Sequence, residues 1–380
     1  MVANISELTD LDARLAMRSA IQKVATGPEY SKDLSFDEAR LAMQLILNGR
    51  ADDVQAAILL IALRMKRETD DENKGVLSAI MEAARQVTAP VDEVIDVADP
   101  YDGYTRGLPV SPFLPPVFAA CGLPAVSHGL ESVGPKYGVT HRKVLRAAGV
   151  DVDLSPEAAA ERIGNPDIGW AYVDQRHYCR PLHDLVPLRQ RIVKRPVLTT
   201  VEVLIGPVRG RQRTHLYTGY VHKAYPPIYT SLARHAGFDS AIIARGVEGG
   251  LVPSLQQPAK VYYYRGDGED AFVEVTPTSL GIEQTTRAVP IPKDAPPAPE
   301  RGDEIAATVD SDALARFAAD SGMAALEGRA GPAYDALVYA GAIGLWLTGR
   351  AGSLTEAADQ VRRTIDSGAA LDRLRAAQQT

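Results

Sequence analysis

The sequence predicts an α/β protein: an N-terminal helical domain over residues 1–90, then a larger α/β domain over 91–380 with a mostly parallel central sheet and C-terminal helices. Three observations predict it. Helix-capping motifs followed by apolar residues at helical spacing recur through the first ninety residues, short apolar runs bounded by turn residues take over from residue 92, and long apolar helical stretches close the chain.

Taken in order, Ser35-Phe36-Asp37-Glu38 is a capping box, with Leu41, Leu45 and Ile46 following on one helical face. Gly49 can close that helix in the left-handed conformation. Asp52 or Asp53 caps a strongly apolar helix containing Val54, Ile58, Ile61 and Met65; its apolar circumference predicts burial on two sides, against a partner subunit or a second domain, and the expectation is a homodimer formed through the N-terminal helices. Thr69-Asp70-Asp71-Glu72 repeats the capping box before Val76 and Ile80. Val94–Ala98, Pro124–Ser127, Ile168–Val173, Leu216–Val221 and Ala241–Ala244 read as parallel strands, and Lys260–Tyr264 with Ala271–Val275 as a hairpin around Gly266-Asp267-Gly268. Pro290, Pro292, Pro296, Pro297 and Pro299 mark a stiff loop over 288–300. Ala333–Leu347 and Thr355–Gly368 read as closing helices within 333–375.

Composition narrows the function classes. The 380 residues carry a net charge of −7, so any nucleic-acid binding must come from a local patch. Two cysteines, Cys121 and Cys179, are too few for a disulfide framework and suit a reducing cytoplasm. The start lacks a signal-peptide pattern, and the longest apolar run, within Leu337–Leu347, is far short of the roughly 20 residues of a membrane span. The expectation is a cytoplasmic protein with no membrane partner.

Charge is distributed unevenly. Arg176, Arg180, Arg189, Arg191, Lys194, Arg195, Arg209, Arg211 and Arg213 face only Asp184 and Glu202 within their own segment. That run is either a solvated face paired to the acidic remainder or a phosphate-binding groove, since guanidinium groups bind phosphate in a bidentate way. Arg209, Arg211 and Arg213 would lie in a row if their segment is extended. A second group follows His128: Lys136, His141, Arg142, Lys143 and Arg146, the last four on a helix that Thr140 would cap. Tyr101, Tyr104, Tyr137, Tyr178, Tyr217, Tyr220 and Tyr225 are either stacking platforms or ordinary packing at strand ends. His177, Cys179 and His183 lack the paired spacing of a zinc site, so neither a metal nor a cofactor is expected.

Phe36–Lys66 with Glu68-Thr69, the block from Ser127-His128-Gly129 to Gly149, and Ser353–Ala358 with Ser367–Leu371 together resemble glycosyltransferase family 3, to which anthranilate phosphoribosyltransferase belongs. The resemblance implies a helical domain joined to an α/β domain with a substrate cleft between them, and a homodimer. It also exposes departures. Where the family carries D-x-x-G-T-G-G-D around pyrophosphate, this chain has Asp99, Pro100, Tyr101 and Asp102 ahead of Gly103. Proline supplies no N–H, and aspartate repels phosphate. The family's Asn-x-Ser-Thr becomes Pro109-Val110-Ser111-Pro112, its Lys-His-Gly-Asn becomes Ser127-His128-Gly129-Leu130, and its magnesium-holding Asp-Glu pair becomes Leu251-Val252.

These departures lead to an expectation that anthranilate transfer is lost and that a polyanion, nucleic acid, binds the interdomain cleft and an Arg-rich face. Gly246-Val247-Glu248-Gly249 and Arg195–Pro207 are similar to a branch of the family whose described members bind nucleic acids. The alternative is transfer of ribosyl or phosphoribosyl groups to another acceptor through a rebuilt 99–106 loop. Candidate cleft residues are Asp99, Tyr101, Asp102, Gly103, Arg106, Ser111, His128, Gly129, Lys136 and Arg189. Candidate polyanion contacts are Arg142, Lys143, Arg176, Arg191, Lys194, Arg195, Arg209, Arg211 and Arg213.

Overall fold

In the computed structural model, residues 7–27, 29–298 and 308–380 are described. The N-terminal part holds α1 (Asp10–Val24), α2 (Phe36–Leu47), α3 (Asp53–Lys66) and α4 (Asp70–Ala83). Both expected capping boxes form, Ser35 with Glu38 and Thr69 with Glu72, and Asp52 rather than Asp53 caps α3. A third box, Thr9 with Asp12, starts α1 and was not read from the sequence. Glu72 is completely buried and ties three helices together: it accepts from Leu34 N and Thr69 N at 2.8 Å each and meets Lys66 Nζ at 2.8 Å. Behind it α2 and α4 touch backbone to backbone, because a Cβ on Gly75 would stand 2.5 Å from the Phe36 carbonyl oxygen.

α3 is buried through Ala56, Leu59, Leu60 and Leu63. Its other face is open: Val54 is 66% exposed, Ile58 40% and Met65 76%, next to exposed Leu11 and Leu15 of α1. Burial on two sides therefore does not occur within one chain.

The strands are β1 (Val87–Thr88), β2 (Glu93–Ala98), β3 (Ala125–Gly129), β4 (Trp170–Asp174), β5 (Val208–Arg209), β6 (Arg213–Gly219), β7 (Ser240–Ala244), β8 (Ala259–Arg265) and β9 (Ala271–Val275). Seven form one sheet in the order β4-β3-β2-β6-β7-β8-β9, parallel from β4 to β7 and antiparallel through the β8–β9 hairpin. β1 and β5 pair separately. Side chains alternate across the sheet, so it separates two cores. Ile95 and Val97 join Leu114–Ala120 and the C-terminal helices, whereas Val94 and Ala98 join the N-terminal helices and Tyr225–His235. The helical part thus shares a continuous core with one face of the sheet.

The chain closes with four helices, Ser311–Leu326, Pro332–Leu347, Leu354–Asp366 and Ala369–Gln378. The expected pair is the middle two; Gly368, at φ 82°, separates the last two. Of the proline-rich stretch, Pro299 and residue 300 lie outside the described residues.

Candidate functional site

Beyond the carboxyl ends of β2, β6 and β7, where parallel sheets place their ligands, a cleft of about 860 Å³ opens toward the helical part. Its walls come from Pro100–Arg106, Lys136, Thr218–His222, Arg245–Gly249 and Thr286–Ala288, faced by Arg64 of α3, Thr199, Thr200, Tyr225 and Tyr229.

The loop after β2 is fastened by its own side chains. Asp99 is 3% exposed, and its carboxylate accepts from Tyr104 Oη at 2.7 Å, from Ser111 Oγ, from His141 Nε2 at 3.0 Å and from Leu251 N at 2.9 Å. Burial alone would push this carboxyl up in pKa, but His141, with Ser111 and Tyr104, brings it below the ordinary carboxylate value. Tyr101 is also buried: its hydroxyl meets His128 Nδ1 and, at 2.6 Å, the Tyr178 hydroxyl. On the other side of that imidazole, Nε2 stands 2.8 Å from Asp96 Oδ1, off the line of a hydrogen bond. Gly129 ends β3 beside this group. Asp99, Tyr101, Ser111 and His128 are thus brought together, but as buried structure behind the cleft wall.

Lys136 is the fixed cation of the cleft. Its ammonium donates to the carbonyls of Gly103 (2.9 Å) and Glu248 (3.3 Å), with Asp102 Oδ1 at 3.7 Å and Glu248 Oε2 at 3.5 Å. Asp102 takes Arg195 as well, through Nε at 2.9 Å and a second nitrogen at 2.5 Å. Glu248 in turn accepts from the main-chain N–H groups of Thr105 and Arg106. Both carboxylates that line the cleft are therefore neutralised.

The remaining charge is positive. Six basic side chains, Arg64, Arg106, Lys136, Arg195, Arg245 and Arg287, line the cleft against the two carboxylates. Arg106, Arg245 and Arg287 are exposed, and none makes an ion pair with a described residue. Arg64 lies over the Tyr225 ring at 5.5 Å, and Tyr225 and Tyr229 are in contact at 5.7 Å between ring centres. Sequence reading missed Arg64, Arg245, Arg287 and Tyr229; Arg245 and Arg287 each stand apart from other basic residues, and Arg64 lies at the end of an apolar helix.

The basic segment behaves otherwise than expected. Arg209 turns inward, donating to Ile205 O, Gly206 O and Ala236 O with its guanidinium 4.0 Å above the Phe238 ring; Arg213 pairs with Glu93; Arg211 alone points into solvent. No row of three guanidinium groups forms, because β5 places the first of them against the core. Arg189, expected in the cleft, is instead buried in a bidentate pair with Glu202 at 2.7 Å. Arg191 pairs with Asp53, and Arg176 with Asp153 and Asp174, leaving Lys194 exposed. Arg142 and Lys143 are 5% and 7% exposed, held by Glu131, Asp153 and Asp174 and by Asp312 respectively, so their helix, which Thr140 does cap, offers no polyanion surface. The stacking candidate Tyr217 is buried in the sheet, whereas Tyr220 and Tyr225 reach the cleft.

The family resemblance implies magnesium, and the residues present do not fit it. Leu251 is buried and offers Asp99 its main-chain N–H, Val252 is aliphatic, and Asp99, Asp102 and Glu248 are committed to donors within the chain. Among the described residues no three His, Cys, Asp or Glu side chains gather where they could hold a metal ion. Nor is any helix among them long and apolar enough to cross a membrane.

Comparison with known proteins agrees with this architecture. A glycosyl transferase helical-bundle domain matches residues 18–84, and a glycosyl transferase a/b domain matches residues 104–293. The chain is 31% identical over 369 residues to the anthranilate phosphoribosyltransferase of Thermomicrobium roseum, covering 94% of each protein. It is 27% identical over 267 residues to an uncharacterized protein of Aquifex aeolicus, covering 70% of this chain and 79% of that one. Among solved structures, anthranilate phosphoribosyltransferase of Thermus thermophilus superposes with a TM-score of 0.71 at 22% identity, covering 96% of this chain and 99% of that one. The Saccharomyces cerevisiae enzyme in complex with PRPP and Mg gives 0.72 at 16%, over 97% of each chain.

Proposed function

On the premise that this chain belongs to the glycosyl transferase family with a helical-bundle and an a/b domain, we propose that its cleft binds a phosphate-bearing polyanion, a nucleic-acid strand, and that it does not transfer phosphoribosyl groups to anthranilate. The observation that carries the reading is the set of three exposed guanidinium groups, Arg106, Arg245 and Arg287, converging on one cleft from three separate loops with no ion pair to a carboxylate among the described residues. Arginine matches phosphate in both geometry and charge, and the neighbouring Tyr225 offers an aromatic face. Charge neutralisation falls to side chains, with Lys136 fixed at the centre.

Transfer to another acceptor through the 99–106 loop is less well supported, since only Asp102, Thr105 and Arg106 of that loop's polar side chains line the cleft, and Asp102 is already paired. The family's anthranilate chemistry would need its metal and a phosphate cradle, which Pro100, Leu251 and Val252 do not supply.

The test is fluorescence anisotropy with labelled single-stranded and duplex oligonucleotides across a salt series. Affinity is expected to fall steeply with salt, to withstand a metal chelator, and to lose about two to three units of log–log salt slope when Arg106, Arg245 and Arg287 are all replaced by alanine. No binding at low salt, or anthranilate consumption that chelation abolishes, would overturn it.

A further inference from the structure

Glu248 lies in the cleft wall with its carboxylate turned onto another loop. Oε1 accepts from Arg106 N at 2.6 Å, Oε2 accepts from Thr105 N at 3.1 Å, and the Thr105 hydroxyl adds a third donor at 3.2 Å. The Lys136 ammonium stands 3.5 Å away, and the side chain is 5% exposed. Two oxygens of one anion therefore meet two successive backbone N–H groups, a hydroxyl and a cation, which is the donor set of a phosphate site. The chain supplies the anion itself.

The fit comes at the expense of the backbone. Glu248 sits at φ 56° and ψ 15°, in the left-handed region that residues with a Cβ seldom adopt. The loop cannot easily relax around it, because a Cβ at Gly246 would lie 1.7 Å from the Gly250 carbonyl oxygen. A strained residue delivering a carboxylate into an anion site is a functional signal rather than ordinary packing.

We infer that the Thr105–Arg106 N–H pair is a phosphate subsite held by the Glu248 carboxylate until a phosphate group of the cleft ligand displaces it. This rests on reading the cleft as a phosphate binder, and it names where one phosphate sits. Glu248 then acts as a built-in competitor, screening out anions too weak to replace it.

The experiment titrates inorganic phosphate by calorimetry at low salt into the whole chain and into two variants. Glu248→Gln keeps the shape and removes the charge; Glu248→Gly removes the side chain at a backbone conformation that suits glycine. Both are expected to bind phosphate at least tenfold more tightly than the parent chain. Oligonucleotide affinity on the same samples separates this inference from the wider reading. A parent that binds oligonucleotide, with no gain for phosphate or oligonucleotide in either folded variant, overturns the subsite and leaves the cleft reading standing. A gain for phosphate with no oligonucleotide binding in any sample supports the subsite and overturns the nucleic-acid reading. If a 5′-phosphorylated strand gains more than its unphosphorylated twin, the subsite takes a terminal phosphate; equal gains assign it to a diester. Loss of the fold in both variants would make Glu248 purely structural and also overturn the inference.

Discussion

Replacing Asp99 by alanine tests the claim that this residue is a structural hub and not a ligand contact. The carboxylate accepts from four buried donors: the Tyr104 and Ser111 hydroxyls, His141 Nε2 and Leu251 N. Ser111 Oγ and His141 Nε2 lie 3.1 Å apart and can pair with each other once it is gone. The Tyr104 hydroxyl and the Leu251 N–H are then left without an acceptor, at about 1–3 kcal/mol each, so the expected loss is ~4 kcal/mol at pH 7. Asp99→Asn, which keeps one acceptor oxygen, should lose roughly half of that. Urea unfolding followed by tryptophan fluorescence is a suitable assay, because Trp170 is buried in β4 and reports on the sheet. The sign with pH is fixed as well. A carboxyl lowered by folding contributes stability above its unfolded value of about 3.9 and loses it as pH falls through the lower folded value, so the alanine penalty should shrink in acid. A penalty below about 1 kcal/mol at pH 7 would refute the reasoning.

Arg209→Ala should destabilise the chain by about 2 kcal/mol, through lost bonds to four carbonyls and lost packing on Phe238, while Arg211→Ala should be neutral; equal denaturation midpoints for the two would count against the inward placement of Arg209. Burial, helped by the Arg213 charge, holds the His215 imidazole down to about 4, so it folds uncharged, whereas the unfolded chain takes up that proton near 6.5. Stability should therefore fall as pH drops from about 6.5 to 4, by up to ~3 kcal/mol from this group, and His215→Gln should flatten that slope in a pH series of urea titrations. Light scattering at micromolar concentration is expected to give a dimer that Ile58→Glu with Met65→Glu converts to a monomer; a monomeric parent chain would show that the open face of α1 and α3 has no second copy to cover it.

What could be read from the sequence was local in origin. The capping boxes at Ser35 and Thr69 are written within four residues, and the strands announce themselves by period, so both stand where expected. The helix Ser311–Leu326 escaped notice because its buried face is largely alanine, which marks no clear stripe. At the site, the sequence of the loop after β2 shows side chains at the positions where the family carries glycines, but not what those side chains do. The partners of Asp99 are 5, 12, 42 and 152 residues away, and only the fold brings them together. The same distance effect misled the reading of the basic run: Asp184 and Glu202 pair within it, but Arg191, Arg213, Arg195 and Arg176 find Asp53, Glu93, Asp102 and Asp153 outside the segment. Arg245 and Arg287 looked unremarkable because each is isolated in sequence and meets the other only across the cleft.

The bonds from Asp99 to Leu251, from Glu248 to Thr105 and Arg106, and from Lys136 to Gly103 and Glu248 make the 99–106 and 246–251 segments interdependent. Substitutions in one segment will therefore carry different costs depending on the state of the other. Putting glycine at position 99 first strands the Tyr104 hydroxyl and the Leu251 N–H and leaves Ser111 and His141 only each other. Putting a carboxylate at position 251 first buries it at a fully covered site, where desolvation raises its pKa and the main-chain N–H is already given to Asp99. A protein engineer wishing to rebuild a metal-dependent transferase on this scaffold meets a fitness valley in either order, and would have to exchange both segments, with positions 104, 111 and 141, in a single step.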